Sequence, residues 1–159
     1  MIFRFSAGLL VWLTLALSFA VSAAEPARLL KDFPVTRLIV INDSGPCILI
    51  DTWVATTPEQ RARGLMYIEQ LDQHEGMIFL YAEPQIIAMW MKNTLIPLDM
   101  LFIRGDRRIA RIEENTEPHS TDSIFSGEAV VMVLELAGGS AKRWSINAED
   151  YIVFADSAE

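Results

Sequence analysis

The feature that most constrains this chain is the short spacing between β-branched, apolar runs and the clusters of turn formers that interrupt them. Residues 35–41 and 47–55 are two such runs, separated by Asn42-Asp43-Ser44-Gly45-Pro46. That cluster predicts a hairpin. Farther along, residues 77–81 and 86–92 flank Glu83-Pro84, and residues 98–103 and 107–112 flank Gly105-Asp106. Gly105 suits the first central position of a two-residue turn. Residues 129–136 and 151–154 complete the set. Runs this short are strand-length, and about seven of them with little helix predict a mainly β fold. The architecture expected is a single-domain β-sandwich or partly open barrel with one or two short helices.

Two short helical pieces are expected. Thr57-Pro58-Glu59-Gln60 carries an N-cap threonine, a proline at the first helical position and a glutamine placed to close a capping box, with Gly64 ending the helix. A second helical turn is expected over residues 67–73, where Ile68 and Leu71 are three apart.

The first 24 residues stand apart from this pattern. One charged residue, Arg4, precedes an apolar run, and Ser22-Ala23-Ala24 then supplies the small residues a signal peptidase reads. The segment is read as a signal peptide cleaved after Ala24, with an uncleaved anchor as the alternative. Export to the periplasm or the medium follows, with no membrane span after cleavage. Residues 25–34, with two prolines and no clear period, read as a flexible lead-in, and residues 35–155 as one globular domain.

Thirteen basic residues face 21 acidic ones, a net charge of -8, so a footprint for nucleic acid or anionic lipid is absent. The single cysteine, Cys47, cannot form an internal disulfide and is expected as a buried, inert thiol. The two histidines, His74 and His119, lack the spacing of a zinc pair. Met66, Met77, Met89, Met91, Met100 and Met132 suit core filling better than a copper site. No metal and no cofactor is expected.

The candidate polar constellation begins at Trp90. In a strand, Trp90 and Lys92 share one face and Met89 and Met91 the other. Asn93 then leaves the strand and Asp99 begins the next, so Lys92 and Asp99 are placed to meet across the connection. Trp90, Lys92, Asn93 and Asp99 together would bind a polar ligand with the tryptophan as a platform; a purely structural cluster is the alternative. Glu135, on the face of Val131 and Val133, either faces solvent or is buried and needs Lys92, Arg104 or Arg63 as partner. The polar loop Glu117-Pro118-His119-Ser120-Thr121-Asp122 is a candidate lid or rim. Gly138-Gly139-Ser140-Ala141-Lys142 reads as a turn into a short helix capped by Ser140.

Four motifs, in order, carry a family resemblance: Arg63-Gly64-Leu65-Met66; Glu75-Gly76-Met77-Ile78-Phe79; Trp90-Met91-Lys92-Asn93-Thr94 with Pro97-Leu98-Asp99; and Val133-Leu134-Glu135-Leu136 with Gly138. They resemble the domain-of-unknown-function 192 family over residues 35–154. The resemblance implies a compact, jelly-roll-like β fold, often exported, with no established activity. Two positions depart from the family pattern. Met89 stands where an aromatic is usual, and Glu149 where a glycine usually precedes Asp150. If that position is left-handed, a non-glycine residue costs ~1 kcal/mol or more.

The function expected from these residues is a non-catalytic ligand-binding or interaction module of the bacterial cell envelope. Its site joins Trp90, Lys92, Asn93 and Asp99, with Glu135 as auxiliary, and its partner is a small molecule, a glycan or an envelope protein. The alternatives are a hydrolase using Asp99 and Glu135 as acid and base, and a structural envelope protein.

Overall fold

The computed structural model describes residues 29–42, 45 and 47–155. Residues 1–24, read as a leader, lie outside the described residues. The chain runs β1 (Val35–Ile41), β2 (Ile48–Ala55), α1 (Pro58–Arg63), β3 (Glu75–Gln85), β4 (Ala88–Met89), β5 (Leu98–Ile103), β6 (Ile109–Glu113), β7 (Ile124–Phe125), β8 (Val130–Ala137), α2 (Ser140–Trp144) and β9 (Tyr151–Phe154). Seven strands form one sheet in the order β6-β5-β8-β3-β2-β1-β9, while β4 and β7 pair separately. The fold is mainly β, as the strand spacing predicts.

Neighbours in the large sheet are antiparallel except β2 and β3, which run parallel. Parallel neighbours need a crossover, and α1 lies within it. Its start is fixed as the sequence predicts: Thr57 accepts from the Gln60 backbone N–H while the Gln60 side chain accepts from the Thr57 backbone. Gly64 ends it with a φ of 49°.

The sheet curls into a half-barrel whose edges touch. The Ile109 N–H donates to Asp150 O at 2.8 Å, Glu149 N–H to Ile109 O at 2.9 Å, and Ile152 N–H to Arg107 O at 3.1 Å. Leu38, Val40, Ile50, Ile78, Leu101, Leu134, Ile109 and Ile152 pack together inside this curl. The opposite face carries a second core, in which Met77, Phe79, Met100, Phe102 and Val133 from the sheet are covered by Leu65, Ile68, Ile87 and Met91. Strand alternation thus sends successive residues into two different cores.

Gly76 shows how tightly the central strands approach. A Cβ there would lie 2.7 Å from Glu135 O and 3.0 Å from Leu136 Cδ2. Backbone cannot yield cheaply at that distance. Gly76→Ala is therefore expected to destabilise the fold by about 1–3 kcal/mol, read as a lowered denaturant midpoint; an unchanged midpoint would contradict this packing.

Several local expectations are corrected. Leu30 and Phe33 are buried in the outer core, so the described end of the lead-in is anchored rather than free. Cys47 is exposed, because alternation points Ile48 and Ile50 inward and leaves Cys47 and Leu49 outward. Residues 67–73 form no helix: Tyr67 takes a left-handed φ of 65° and gives its N–H to Asn93 O, which stops helical propagation. The run over 86–92 pairs only at Ala88 and Met89. Gly105 has no positive φ; the hairpin turns through an Arg107 N–H to Arg104 O bond, and Arg107 takes the left-handed position at 70°. Glu149 also has a left-handed φ, 74°, at the position where the family pattern carries glycine. Its carboxylate offsets part of that strain by holding Arg104 through both oxygens at 2.8 Å.

Candidate functional site

Glu135 lies near the middle of β8, opposite Met77 on β3 and Met100 on β5. This register puts its side chain on the outer-core face of the most central strands, and it is 4% exposed. Its carboxyl makes no hydrogen bond or ion pair with any described residue. Arg104, one of the partners expected for it, is engaged by Glu149, Glu128 and Asp106 instead. With nothing to compensate lost hydration, burial pushes the Glu135 carboxyl up to about 8.

The carboxyl is not sealed in. It lies at the base of a cavity of about 220 Å³, lined on one side by Arg61, Arg63, Leu65 and Met66 and on the other by Met89, Trp90 and Lys92. Phe79 and Tyr81, on β3, complete the floor. The α1 side is held by backbone contacts: Arg61 Nη1 donates to Leu80 O at 3.2 Å and to Thr56 O, and Arg63 Nη2 to Leu29 O. The Arg61 guanidinium lies 4.8 Å from the Tyr81 ring centre. Burial raises the Tyr81 hydroxyl above its ordinary pKa; Arg61 opposes that shift and the Glu135 charge adds to it.

The other wall follows the alternation expected from sequence. Met89 and Met91 are buried, while Trp90 is 47% exposed and Lys92 is exposed beside it. Lys92 Nζ sits 5.3 Å from the Trp90 ring centre. Asn93 turns the chain with a left-handed φ of 57°, a conformation asparagine tolerates. Its side chain reaches Met66 Sδ at 3.8 Å, behind the cavity wall rather than in it.

Asp99 does not belong to this site. On β5 it opposes Leu136, one position out of phase with Met100 and Glu135, so it points into the half-barrel. It is fully buried and accepts from the Asn115, Gly139 and Ala141 backbone N–H groups at 2.8, 3.0 and 2.8 Å. Two of those donors open α2, so Asp99 caps the helix expected to be capped by Ser140. Ser140 Oγ is buried without a partner. Asp99 and Glu135 occupy opposite faces of the sheet, which removes the two-carboxylate hydrolase arrangement.

Of the residues expected from sequence, the structure brings Trp90, Lys92 and Glu135 to one cavity and leaves Asn93 beside it and Asp99 outside. Sequence reading missed Arg61 and Tyr81 as lining residues. The signal for Arg61 was its place in the capped helix, which buries none of its residues. The 117–122 loop braces the second wall from behind, through Met91 N–H to Ser120 O at 3.0 Å and His119 N–H to Thr94 O at 3.1 Å. It is therefore a strut and not a lid. Among the described residues no His, Cys, Asp and Glu cluster could hold a metal ion, and no helix is long and apolar enough to cross a membrane. Met91 serves the core, its sulfur accepting from Thr116 Oγ1 at 3.1 Å.

A wider depression of about 480 Å³ lies along residues 35–37 and 51–53. Arg37 and Asp51 pair across it at 2.6 Å, and the buried, unpartnered carboxyl belongs to the smaller cavity.

Comparison with known proteins agrees with this architecture. A crystal structure from Sinorhizobium meliloti 1021, named as a candidate transcription regulator, is 41% identical with a TM-score of 0.75; the match covers 77% of this chain and 95% of that one. A protein of unknown function from Novosphingobium aromaticivorans DSM 12444 is 34% identical with a TM-score of 0.73, over 75% of this chain and 84% of that one. No curated protein matches the chain. The model of the DUF192 family, described as "Uncharacterized ACR", matches residues 39–154. On that match, with its motifs distributed over both walls and the floor of the cavity, the chain belongs to the DUF192 family.

Proposed function

We propose that the protein is a non-catalytic binding module of the bacterial cell envelope that holds a small molecule between α1 and the Trp90–Lys92 wall. The observation that carries this reading is Glu135, a carboxyl buried on a central strand with no partner among the described residues yet placed at the base of an open cavity. A polar group left in this way costs stability, and a ligand is the partner it lacks. Binding rather than turnover is supported by the opposite orientation of Asp99, which leaves Glu135 as the one carboxyl among the described lining residues. Envelope location is supported by the leader-like residues 1–24. A DNA-binding role, suggested only by the name of the Sinorhizobium protein, has no support in a chain with 13 basic and 21 acidic residues.

A fragment screen of the full chain by protein-observed NMR tests the reading. Hits are expected to perturb Ala88, Trp90 and Lys92 together, and Trp90→Ala to weaken them about tenfold or more. Hits scattered away from the cavity, or unaffected by Trp90→Ala, would overturn it. Export is checked in parallel by the mass of the chain recovered from a periplasmic extract, expected to begin at Glu25; intact residues 1–24 on a cytoplasmic chain would refute the envelope part.

A further inference from the structure

We infer that the cavity selects small organic anions, a carboxylate or similar oxyanion carried on a flat or apolar body. This rests on the binding reading above and names its ligand class.

The argument begins with charge. Arg61, Arg63 and Lys92 all line the cavity, and none forms an ion pair with a described carboxylate, although acidic residues outnumber basic ones 21 to 13. Three cations without an ion-paired carboxylate among the described residues, gathered around one small opening, are unexpected in so acidic a chain. Their geometry leaves donors for a ligand. The hydrogen bonds of Arg61 use Nη1 and that of Arg63 uses Nη2, whereas a guanidinium carries five N–H donors. Among the described residues, the contact of Lys92 Nζ is the Trp90 ring.

Glu135, the single acidic group among the described lining residues, does not cancel this field. Desolvation favours its neutral form, and a protonated carboxyl contributes an O–H donor. An anion entering the cavity therefore meets donors on both walls and at the base. A cation would meet three like charges and gain a counter-ion only after Glu135 ionised. Leu65, Phe79, Met89 and Trp90 supply an apolar surface for the rest of the ligand. A volume of about 220 Å³ lies below the ~300–1,000 Å³ of drug-sized sites, so the ligand is fragment-sized.

Glu135 then couples binding to protons. The titratable and charged groups that share the cavity with it are Tyr81 on β3, Arg61 and Arg63 on α1, and Lys92 beyond β4; Met77 and Met100 flank it without charge. Burial holds the Tyr81 hydroxyl protonated beyond its usual range, so in this window Glu135 is the acid that sets the ligand's environment. Its ionisation places a second negative charge beside the bound anion, and affinity falls as pH rises.

Titration of the full chain with benzoate, benzylamine and benzyl alcohol, followed at the Trp90 indole by NMR, tests the inference. Benzoate is expected to bind about tenfold tighter than either comparator, and Lys92→Ala to erase most of that preference. Between about pH 6 and about pH 9 benzoate affinity is expected to fall about tenfold in the wild type and to stay level in Glu135→Gln. Benzylamine or benzyl alcohol binding as well as benzoate would overturn anion selectivity while leaving a binding site in place. Failure of all three to shift Trp90 would overturn the binding reading, and the inference with it.

Discussion

Glu135→Gln is expected to make the protein more stable than wild type in alkaline solution, and the advantage to shrink on acidification. The carboxyl has a folded pKa of about 8 against 4.5 unfolded, so between these values the folded state binds more protons than the unfolded one. Stability therefore falls as pH rises. The favourable neutral form is fully present below about pH 4.5, and the penalty is complete above about pH 8. A shift of this size corresponds to roughly 5 kcal/mol, an upper figure because local opening lets water reach the charge. Glutamine keeps the shape without ionising. Urea midpoints of the two proteins, measured between about pH 5 and about pH 9, should diverge progressively; parallel curves would mean that the carboxyl is solvated or paired.

Asp99→Ala should have an effect of similar size and opposite sign. The Asp99 carboxylate gathers three backbone N–H groups from the segment after β6 and from the start of α2, and the methyl group of alanine supplies no acceptor for them. Each orphaned buried donor costs about 1–3 kcal/mol, so a loss of about 3–5 kcal/mol is expected, enough to unfold a marginal domain. Asp99→Asn distinguishes shape from hydrogen bonding, because the amide fills the same space but turns a donor toward other donors. It too should lower the midpoint by more than 1 kcal/mol. A wild-type midpoint in Asp99→Asn would show that these contacts are dispensable.

The contrast between these acids explains what the sequence could and could not disclose. Local chemistry was legible. The capping box at Thr57, the hairpin between β1 and β2 and the span of β9 depend on neighbouring residues. The face to which a side chain points depends on register with strands far away in the chain. Asp99 and Glu135 looked alike as acids in apolar strands, yet pairing with Leu136 sends one inward and pairing with Met100 sends the other to the cavity. Residues 67–73 failed as a helix for a similar reason, since Asn93, remote in sequence, takes the Tyr67 N–H. The capped helix marks Arg61 as an exposed cation, but nothing near it in sequence reveals that α1 shares a cavity with Tyr81 and Glu135.

Where the sheet curls, the start of β6 comes up against the segment that leads into β9. A lone terminal strand ordinarily offers its unpaired amides and carbonyls to any passing chain, a route to ribbon-like self-association. Here the bonds among Arg107, Ile109, Glu149, Asp150 and Ile152 fasten the start of β6 to the β9 side of the sheet, so that part of each margin is stitched shut against templated growth.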